Sequence, residues 1–597
     1  MLEDKDLVSI QEVRTKVDKA YAAWQKYRTY SQAQVDAIVE RMAAAGRANA
    51  ERLAALAVEE TGYGNVKDKI AKNLLNADLL PRKMRGMRTI GFLREIPEER
   101  IVEYAVPVGV VAAILPTTNP TSTAIYKILI SLKAGNAIVL SPHPRAVRCT
   151  CATADLLYRA AREAGAPEDI VQCLGYASLD GTNALMRHER TGVILSTGGH
   201  GIVHAAYSSG KPAFGVGPGN VPVMIERTAD VRDAIAKVIE GKSFDYGTVC
   251  SSEQAIVVEE VLKDRVLAEL KAGKAYFCNS DQKQALAKVL VTANWTINPA
   301  CVGQAPGKIA AMAGFTVPAE TSILVAELDG VGKQHPLSME KLSPVLAVYW
   351  VKDFAAGMNI CESLLRFGGL GHTCAIYSTD DARIREYAQR MPANRVLVNT
   401  PAPQGSTGIT TNVFPSMTLG CGAAAGNITS DNVGPQHLYN IKRLAYAVRS
   451  AAEAFETPAQ PAVPKPLSAD IVDRFLASRG VGGADDRFVS SALPERQALP
   501  ERQSLPGQQA LPGQQALPER QATPEGQTTK SDGPPHTSCA CEVPPPAPPK
   551  PQILDFVCEE DVRNAIRQSR KIYIGPRTIV TPSARDLAAP GDILVLA

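Results

Sequence analysis

From residue 101 to about residue 400 the chain alternates short apolar runs with longer segments of helical periodicity. The runs are IVEYAVPVGVVAAILP, NAIVLSPHP, TGVILSTGG, VPVMIE, EQAIVVEE, TSILVAEL, LAVYWVKD, TCAIYST and NRVLVNT. Runs of this length and composition predict buried strands, and strands that alternate with helices favour parallel sheets covered by helices. We therefore expect an α/β fold with two parallel layers side by side, preceded by long amphipathic helices in residues 8–60.

The sequence changes character after about residue 455, where Pro, Gln and small residues dominate. Residues 492–527 are six tandem hexapeptides, from ALPERQ to ATPEGQ, and residues 490–551 contain no Phe, Trp, Tyr or Ile. Such a segment cannot bury enough apolar surface to offset its ordering entropy, and proline in every repeat argues against a β-helix. We expect a disordered linker, followed by a tethered module with a helical face at Val562 and Ile566 and then short apolar strands.

Charge and cysteine usage exclude several classes of function. A formal charge of +3 over 597 residues gives no basic field for nucleic acid. The N-terminus has no signal-like pattern and no apolar run reaches membrane-span length, so we expect a cytoplasmic protein without a membrane partner. The twelve cysteines lack paired zinc spacing. We expect neither a disulfide framework nor a metal site, and most cysteines should be buried apolar residues.

Three short segments carry residues suited to chemistry. FDYGTVCSSEQ places Cys250 among small residues, although a lone cysteine there is more often a core residue. KPAFGVGPGNVPV alternates Gly215, Gly217 and Gly219, which allows close approach to a ligand and positive φ. ILPTTNP ends a strand at Asn119, whose amide can donate to a developing alkoxide. Taken singly, a Gly-rich loop and an Asn-Pro turn are also common in connections between secondary-structure elements that have no role in binding.

The order and spacing of ILPTTNP, LKAGNAIVLSPHP, LSTGG, GVGPGN, Cys and EKLSP resemble the aldehyde dehydrogenase superfamily from residue 8 to 450. The resemblance implies that Cys250 is the nucleophile and that Asn119 and the Cys250 backbone N–H hold the oxyanion. Hydrolytic members carry Glu where this chain has Gly215, and usually Lys where it has Ser141. Both departures, with SPHPRA, CSSEQ, GHTCAIY and NVGPQHL, resemble the CoA-acylating subfamily. The implied route is a Cys250 thioester, formed with hydride transfer to NAD⁺ and cleaved by coenzyme A.

The same resemblance implies the cofactor site. NAD should lie at the sheet ends, with its pyrophosphate at the helix that follows LSTGG, and the superfamily lacks the GxGxxG motif. His143 is suited to adenosine or the CoA nucleotide and His372 to the substrate mouth, with a structural role equally open for each. The implied cofactor-binding residues are Pro116, Thr117, Ser141, His143, Pro144, Thr197, Gly198, Gly199, Gly215, Val216, Gly217, Glu340 and Leu342.

The implied domains form the three-part aldehyde dehydrogenase fold and a tail. They are an NAD-binding domain at 1–220 with an oligomerisation hairpin at about 88–106, a catalytic domain at 221–425, an oligomerisation segment at 426–452, the linker at 453–551 and a terminal segment at 552–597. We expect a homodimer or homotetramer built through the arm.

The terminal segment, with IVTPSARDLA, is similar to extensions that load enzymes into bacterial microcompartments by docking on shell protein. Residues 468–480 are a second candidate docking helix, and packing of the tail on its own enzyme is the alternative. A microcompartment lumen suits a short aldehyde, with propionaldehyde favoured and acetaldehyde next. The rival functions are a hydrolytic dehydrogenase that releases free acid and a catalytically silent scaffold that binds shell.

Overall fold

A computed structural model describes residues 4–455, 474–475, 478, 553–568, 570–588 and 593–596. These residues fall into two compact units, Met1–Lys465 and Pro466–Ala597, which are described separately. The predicted linker and its hexapeptide repeats lie outside the described residues, apart from 453–455, 474–475 and 478, and so does nearly all of the candidate docking helix at 468–480. No helix of the described residues is both long and apolar enough to span a membrane.

Helices of the first unit cover and connect its sheets. They are α1 Lys5–Tyr27, α2 Gln32–Ala48, α3 Ala50–Thr61, α4 Val66–Leu74, α5 Leu80–Met84, α6 Pro120–Lys133, α7 Val147–Glu163, α8 Leu179–Arg187, α9 His200–Tyr207, α10 Val231–Ser243, α11 Lys263–Ala272, α12 Ser280–Leu290, α13 Pro306–Met312, α14 Phe354–Gly368, α15 Asp381–Arg390, α16 Ala402–Ser406 and α17 Ala451–Phe455. One turn of π-helix, Leu75–Leu79, joins α4 to α5. The predicted amphipathic helices before the first strand are therefore α1 to α3.

Strands of the first unit form three sheets. They are β1 Gly91–Ile96, β2 Ile101–Pro107, β3 Val110–Ile114, β4 Ala137–Ser141, β5 Val171–Cys173, β6 Thr191–Thr197, β7 Ala213–Val216, β8 Val221–Ile225, β9 Glu253–Glu259, β10 Ala275–Phe277, β11 Ile323–Glu327, β12 Val345–Val351, β13 Gly371–Tyr377, β14 Ala393–Val398 and β15 Tyr439–Ala445.

The first parallel sheet has the strand order β5-β4-β3-β6-β7. Every residue of β3 and β4 is buried, as expected for strands with helices on both faces. In register, Ile114 lies between Ser141 on one side and Ser196 on the other, and Ser196 pairs in turn with Gly215. The carboxyl ends of four neighbouring strands therefore end in one row.

The second parallel sheet has the order β10-β11-β12-β9-β8-β13-β14. Strand β9, at its centre, is buried along its whole length and begins three residues after Cys250. The two parallel layers confirm the α/β fold expected from the alternation of strands and helices. The short strands β5, β7 and β10 were not expected, because three or four residues give too little periodicity to detect.

A third sheet is antiparallel, with the order β1-β2-β15. It joins the hairpin of β1 and β2 to a strand more than 300 residues later, with Tyr439 opposite Pro107. Glu103 in β2 accepts hydrogen bonds from Arg94 of β1, at 2.8 Å, and from Arg443 of β15, at 3.1 Å. This sheet has few buried residues, which distinguishes it from the two parallel sheets.

The second unit is a small parallel sheet with its own core. Its elements are β16 Ile553–Val557, α18 Glu559–Arg567, β17 Ile572–Val580, α19 Pro582–Ala588 and β18 Leu594–Leu596, with the strand order β16-β17-β18. Val557, Val562, Ala565 and Ala584 form its buried cluster. The predicted helix is present and is followed by strands, and the structure adds β16 before that helix and α19 between the two later strands. The expected apolar helix face is wrong at Ile566, which is 45% exposed.

Candidate active site

The carboxyl ends of the first parallel sheet bring most of the predicted cofactor residues to one edge. Pro116 and Thr117 follow β3, Thr197 ends β6, and Val216 ends β7. Gly198 and Gly199 lead from β6 into α9, and an added Cβ at Gly199 would meet nothing within 4 Å. Open backbone ahead of a helix N-terminus suits a phosphate group.

Asn119 is the N-cap residue of α6, and its side chain makes no capping hydrogen bond but contacts other segments instead. Its Nδ2 donates to Thr118 Oγ1 at 3.1 Å and to the backbone oxygen of Thr248 at 3.3 Å, two residues before Cys250. Its Oδ1 accepts a hydrogen bond from Lys72 Nζ at 2.7 Å. The structure therefore brings the predicted oxyanion donor to the segment that carries the predicted nucleophile.

The chain enters Cys250 through a strained turn. Asp245, Tyr246 and Gly247 have consecutive positive φ values of 48°, 51° and 73°. The left-handed region costs residues other than glycine about 1–2 kcal/mol each, so other contacts must hold this turn. The Asp245 carboxylate is fully buried and accepts hydrogen bonds from the Asn65 backbone, Lys69, Lys72 and Thr248.

Cys250 is half-buried, and its thiol is protonated in the unliganded protein. Burial raises the pKa of Cys250 to about 12, and the Glu340 carboxylate and the Cys421 thiol also raise it, whereas the Arg395 guanidinium lowers it. The substrate or cofactor must therefore favour the thiolate, because only the thiolate is the nucleophile.

Alkylation of Cys250 should report this shift. Below the pKa the thiolate fraction rises about tenfold per pH unit, so the rate of iodoacetamide labelling without NAD or CoA should rise about 100-fold from pH 7 to 9. Peptide-resolved mass spectrometry measures this rate for Cys250 alone. N-acetylcysteine in the same buffers is the control and should approach its plateau near pH 9. A plateau for Cys250 below pH 9 would contradict the raised pKa.

Two glycines of GVGPGN, Gly215 and Gly219, serve close packing, whereas an added Cβ at Gly217 would meet nothing within 4 Å. None of Gly215, Gly217 and Gly219 has a positive φ, so that expectation is wrong. An added Cβ at Gly219 would lie 2.2 Å from the Cys250 oxygen and 3.1 Å from His372 Cγ. Glycine is needed at that position because the backbone of Cys250 and the imidazole of His372 both press against it.

The structure leaves little space for a side chain at Gly215, the position where the predicted resemblance puts the general base of hydrolytic enzymes. An added Cβ would lie 2.7 Å from Val203 Cγ1 and 3.0 Å from Tyr207 Cε2, both in α9. The Gly215 backbone N–H donates to the Tyr207 hydroxyl at 2.9 Å, and that hydroxyl donates to the Gly215 oxygen at 3.2 Å. Helix α9 thus occupies the volume that a side chain at this position would need.

Glu340 is a buried carboxylate close to the same loop. It is 6% exposed, and its Oε1 accepts the Gly219 N–H at 3.0 Å. Burial raises the pKa of Glu340 to about 7, while the Gly219 N–H and the charges of Lys242 and Lys341 lower it. Leu342, two residues later, has a positive φ of 44° and accepts the Gly303 N–H at 3.0 Å.

His372 is fully buried beside the backbone of Cys250, and its place near the substrate mouth stays a prediction. Its Nδ1 lies 3.0 Å from Thr373 Oγ1, and its Nε2 has no hydrogen-bond partner. Burial lowers the pKa of His372 to about 3, and the Arg395 guanidinium lowers it as well. The imidazole is therefore neutral at physiological pH and can accept one more hydrogen bond.

The SPHPRA segment divides into a buried and an exposed part. The hydroxyl of Ser141 is buried and lies 2.8 Å from Thr182 Oγ1. His143 and Pro144 are exposed, and the Arg145 backbone N–H donates to His143 Nδ1 at 3.1 Å. Partial burial lowers the pKa of His143, as does Arg145, so its ring stays neutral and can contact a base or nucleotide.

Sequence reasoning missed two charged residues of this site. Lys72 contacts Asn119 and Thr248 directly. Arg395 is 6% exposed and donates from Nη2 to the backbone oxygens of His372 and Gly420, each at 2.7 Å. No motif marked either residue, and the spacing of KDKIAK, which places Lys69 and Lys72 on one helix face, was the available signal for Lys72.

The chain matches a protein-family model and a known bifunctional enzyme. The aldehyde dehydrogenase family model matches residues 6–282. The bifunctional aldehyde-alcohol dehydrogenase AdhE of Escherichia coli K12 is 43% identical over 444 residues, which cover 74% of this chain and 50% of that protein. The chain therefore spans about half the length of this relative.

Two solved structures resemble the chain over nearly their whole length. An acetylating aldehyde dehydrogenase from Geobacillus thermoglucosidasius is 50% identical, with a TM-score of 0.74, and covers 75% of this chain and 99% of its own. A propionaldehyde dehydrogenase from the Clostridium phytofermentans fucose utilisation bacterial microcompartment is 27% identical, with a TM-score of 0.66, and covers 73% and 97%. The resemblance recognised in the sequence is confirmed, and this chain belongs to the aldehyde dehydrogenase family.

Proposed function

We propose that the chain is an NAD-dependent, CoA-acylating aldehyde dehydrogenase that forms a thioester on Cys250. The observation that carries this proposal is at Gly215, where α9 fills the position of the hydrolytic base. An acyl group on Cys250 then lacks the group that would activate water, so a second thiol must remove it. The acetylating enzyme at 50% identity and the bifunctional aldehyde-alcohol dehydrogenase support the same class.

In the first half-reaction the Cys250 thiolate attacks the aldehyde carbon and forms a carbon–sulfur bond. The carbonyl oxygen becomes an alkoxide, which Asn119 Nδ2 and the Cys250 backbone N–H stabilise by hydrogen bonding. A bound NAD⁺ would supply the acceptor for the hydride that this carbon loses, and its positive charge would favour the Cys250 thiolate. Loss of the hydride leaves a thioester on Cys250.

The residues present fit a dinucleotide. The row of strand ends at Thr117, Ser141, Thr197 and Val216 offers a continuous edge, and the carboxyl ends of parallel strands are where α/β proteins bind nucleotides. The open backbone at Gly199 would hold the pyrophosphate at the N-terminus of α9. The buried Glu340 carboxylate would accept hydrogen bonds from the nicotinamide ribose.

In the second half-reaction the thiol of CoA attacks the thioester carbon, and the bond to Cys250 Sγ breaks. The acyl-CoA leaves and Cys250 returns as thiolate. His372 Nε2 is buried, neutral and without a hydrogen-bond partner, so it would accept a hydrogen bond from the incoming thiol. Its lowered pKa makes the ring a weak base, so the thiol proton passes to the released Cys250 thiolate, whose own pKa is raised. His143, exposed at the edge of the sheet, would contact the nucleotide part of a cofactor.

Rapid mixing of the enzyme with propionaldehyde and NAD⁺ tests the proposal. Without CoA we expect a burst of about one NADH per Cys250 and then slow turnover, because the thioester accumulates. CoA should restore steady turnover and yield acyl-CoA. Sustained CoA-independent turnover to free acid would decide for the hydrolytic alternative. If none of the aldehydes from acetaldehyde to butyraldehyde gives a burst, the result would decide for the silent scaffold.

The substrate proposed within this class is a short aldehyde, with propionaldehyde preferred over acetaldehyde. The support is the microcompartment propionaldehyde dehydrogenase of 27% identity, while the acetylating relative of 50% identity supports acetaldehyde. The same burst experiment with both aldehydes distinguishes them by kcat/KM, and a higher value for acetaldehyde would reverse the order.

We propose that the antiparallel sheet mediates a homodimer or homotetramer. Its apolar side chains remain exposed in the single chain: Phe92 is 42%, Ile441 43% and Leu444 44% exposed. By strand register, Phe92 and Leu444 lie on one face of this sheet and Ile441 on the other, so both faces offer exposed apolar groups for association. Light scattering should therefore give at least twice the chain mass. Replacing Ile441 and Leu444 by Glu should lower it, with exposed Lys442→Glu as the control.

We propose that the second unit docks on a shell protein in a microcompartment lumen. Both of its crossovers place their helices in one cluster with Val557, as right-handed connections require. Among the described residues of the second unit, no helix covers the opposite face, and there Phe556 and Ile579 are register partners with 55% and 65% exposure. An uncovered apolar sheet face suits a protein partner more than water.

Cosedimentation of the full chain with purified shells tests this docking. The double variant Phe556→Asp and Ile579→Asp should lose cosedimentation while keeping NADH formation. Ile566→Asp is the matched control, because it changes an exposed apolar residue on α18 instead of the sheet. Loss only with the control variant would assign docking to the helix. Retention by both variants, together with unchanged binding after removal of residues 552–597, would exclude the tail as the docking element.

A further inference from the structure

The cluster between α4 and the turn before Cys250 holds more charge than a structural contact requires. Lys69 and Lys72 are each 2% exposed, and both approach the Oδ2 atom of Asp245, which is fully buried. Both ammonium groups contact this one carboxylate, and the second carboxylate nearby, Asp68, acts on Lys72 through its charge without a direct ion pair. Burying charge in this way is costly, so a use for the second ammonium group is expected.

The two lysines differ in what else they contact. Lys69 Nζ donates to the backbone oxygen of Thr118 at 2.9 Å. Lys72 Nζ donates to Asn119 Oδ1 at 2.7 Å and to Thr248 Oγ1 at 2.9 Å. Only Lys72 therefore reaches the side chain of the residue proposed to hold the oxyanion.

The chemistry of an ammonium group makes this contact directional. An ammonium has three donors and no acceptor, whereas a side-chain amide has an oxygen that accepts and a nitrogen that donates. The amide atom that faces Lys72 must therefore be Oδ1. The Nδ2 group is then turned toward Thr248, in the segment that leads into Cys250.

The charge state supports the same conclusion. Burial lowers the pKa of Lys72 to about 8, with Asp245 raising it and Lys69 lowering it. Most Lys72 side chains thus carry the ammonium at neutral pH. The ring of Phe244 lies 5.4 Å from Nζ and adds a cation–π contact that favours the charged form.

We propose that Lys72 is a positioning residue that fixes the orientation of the Asn119 amide, so that its N–H groups and not its oxygen face the reacting carbonyl. Without Lys72 the amide can rotate and present its oxygen, which repels an alkoxide. The inference rests on the proposed role of Asn119. It assigns to α4, more than 170 residues before Cys250, a part in the first half-reaction.

A double-mutant cycle on the full chain tests the inference, with the rate of the NADH burst from propionaldehyde and NAD⁺ as the readout. Lys72→Met keeps the aliphatic length and removes the donors. We expect the burst to slow about 10- to 100-fold, up to the effect of losing one oxyanion donor, with the aldehyde KM changed less than about threefold. In the Asn119→Ala background the same substitution should change the burst less than about threefold, because its target is gone.

Lys69→Met is the matched control. It removes the other ammonium from the same carboxylate and does not touch the Asn119 side chain. Any effect that it has should persist at full size in the Asn119→Ala background. If circular dichroism shows that Lys72→Met does not fold, Lys72→Gln replaces it in the same cycle. We expect the same result, because glutamine keeps a polar group at this position but can donate or accept, so it does not enforce one orientation of the Asn119 amide.

The outcomes separate this inference from the proposed function. No burst in the unsubstituted enzyme refutes the proposed function. A burst that Asn119→Ala leaves unchanged refutes the oxyanion role and the inference with it. In the third outcome, Asn119→Ala slows the burst, and Lys72→Met slows it by the same factor with Asn119 present or replaced. That result refutes the inference alone.

Discussion

Replacing Cys250 by alanine is expected to abolish NADH formation from propionaldehyde, NAD⁺ and CoA, with kcat lowered on the order of 10⁴-fold or more. The physical reason is that hydride transfer requires a tetrahedral alkoxide, which forms here only after a thiolate adds to the carbonyl. Stopped-flow absorbance of NADH should show neither the burst nor the steady phase. NAD⁺ binding, measured by calorimetry, should be retained, because the strand ends that form the nucleotide edge are unchanged.

Cys421→Ala is the control for this prediction. Its thiol is also buried and lies beside Arg395. Its effect on Cys250 is limited to a contribution to the raised pKa of that thiol. The control should keep a burst of about one NADH per chain. Retained turnover in Cys250→Ala, or a burst lost equally in Cys421→Ala, would remove Cys250 from the role of nucleophile.

Replacing Asn119 by alanine is expected to have the next largest effect, a loss of about 10²- to 10³-fold in kcat, as for other oxyanion donors. The Nδ2 group lies 3.3 Å from the backbone oxygen of Thr248, two residues before Cys250, and an alkoxide on the carbon bound to Cys250 would replace one of its present acceptors. Because the interaction strengthens as charge develops, kcat and kcat/KM should fall together. Steady-state kinetics over a range of propionaldehyde concentrations measures both.

The matched control is Asn119→Asp, which keeps the size of the side chain and its contact to Lys72 while replacing the N–H donors by a second acceptor. Its rate should fall at least as far as that of the alanine variant, since a carboxylate repels the alkoxide. An aspartate variant with near-normal kcat would show that donation by residue 119 is not needed. Thermal unfolding of both variants checks that Lys72 and Asp245 still fold around the substitution.

The α/β fold was predictable because its signal is local. Each buried strand is a run of aliphatic residues, such as AIVVEE in β9, and each intervening helix repeats apolar residues at helical spacing. The motifs around Asn119, Gly215 and Cys250 were predictable for a similar reason: each is a short segment with a recognisable order along the chain. Short strands such as β5 gave no such signal.

Contacts between distant segments were not predictable in this way. Lys72 and Asp245 are 173 positions apart, and nothing in either segment alone indicates that one ion cluster joins them to Asn119. His372 was recognised, but its burial beside Gly219 depends on how β13 packs against the loop after β7. The conformation of the three loop glycines was also misjudged, because glycine tolerates both positive φ and close packing and the sequence does not say which is used.

The sequence by itself therefore determined the class of fold, the family and the identity of the proposed nucleophile and oxyanion donor, since these depend on local periodicity and on motif order. Only the tertiary structure decided that α9 fills the space beside Gly215, that His372 is buried with an unpartnered nitrogen, and that Lys72 contacts the amide oxygen of Asn119. Those features arise from steric exclusion and from charge burial between segments that meet only when the two sheets and their helices pack together.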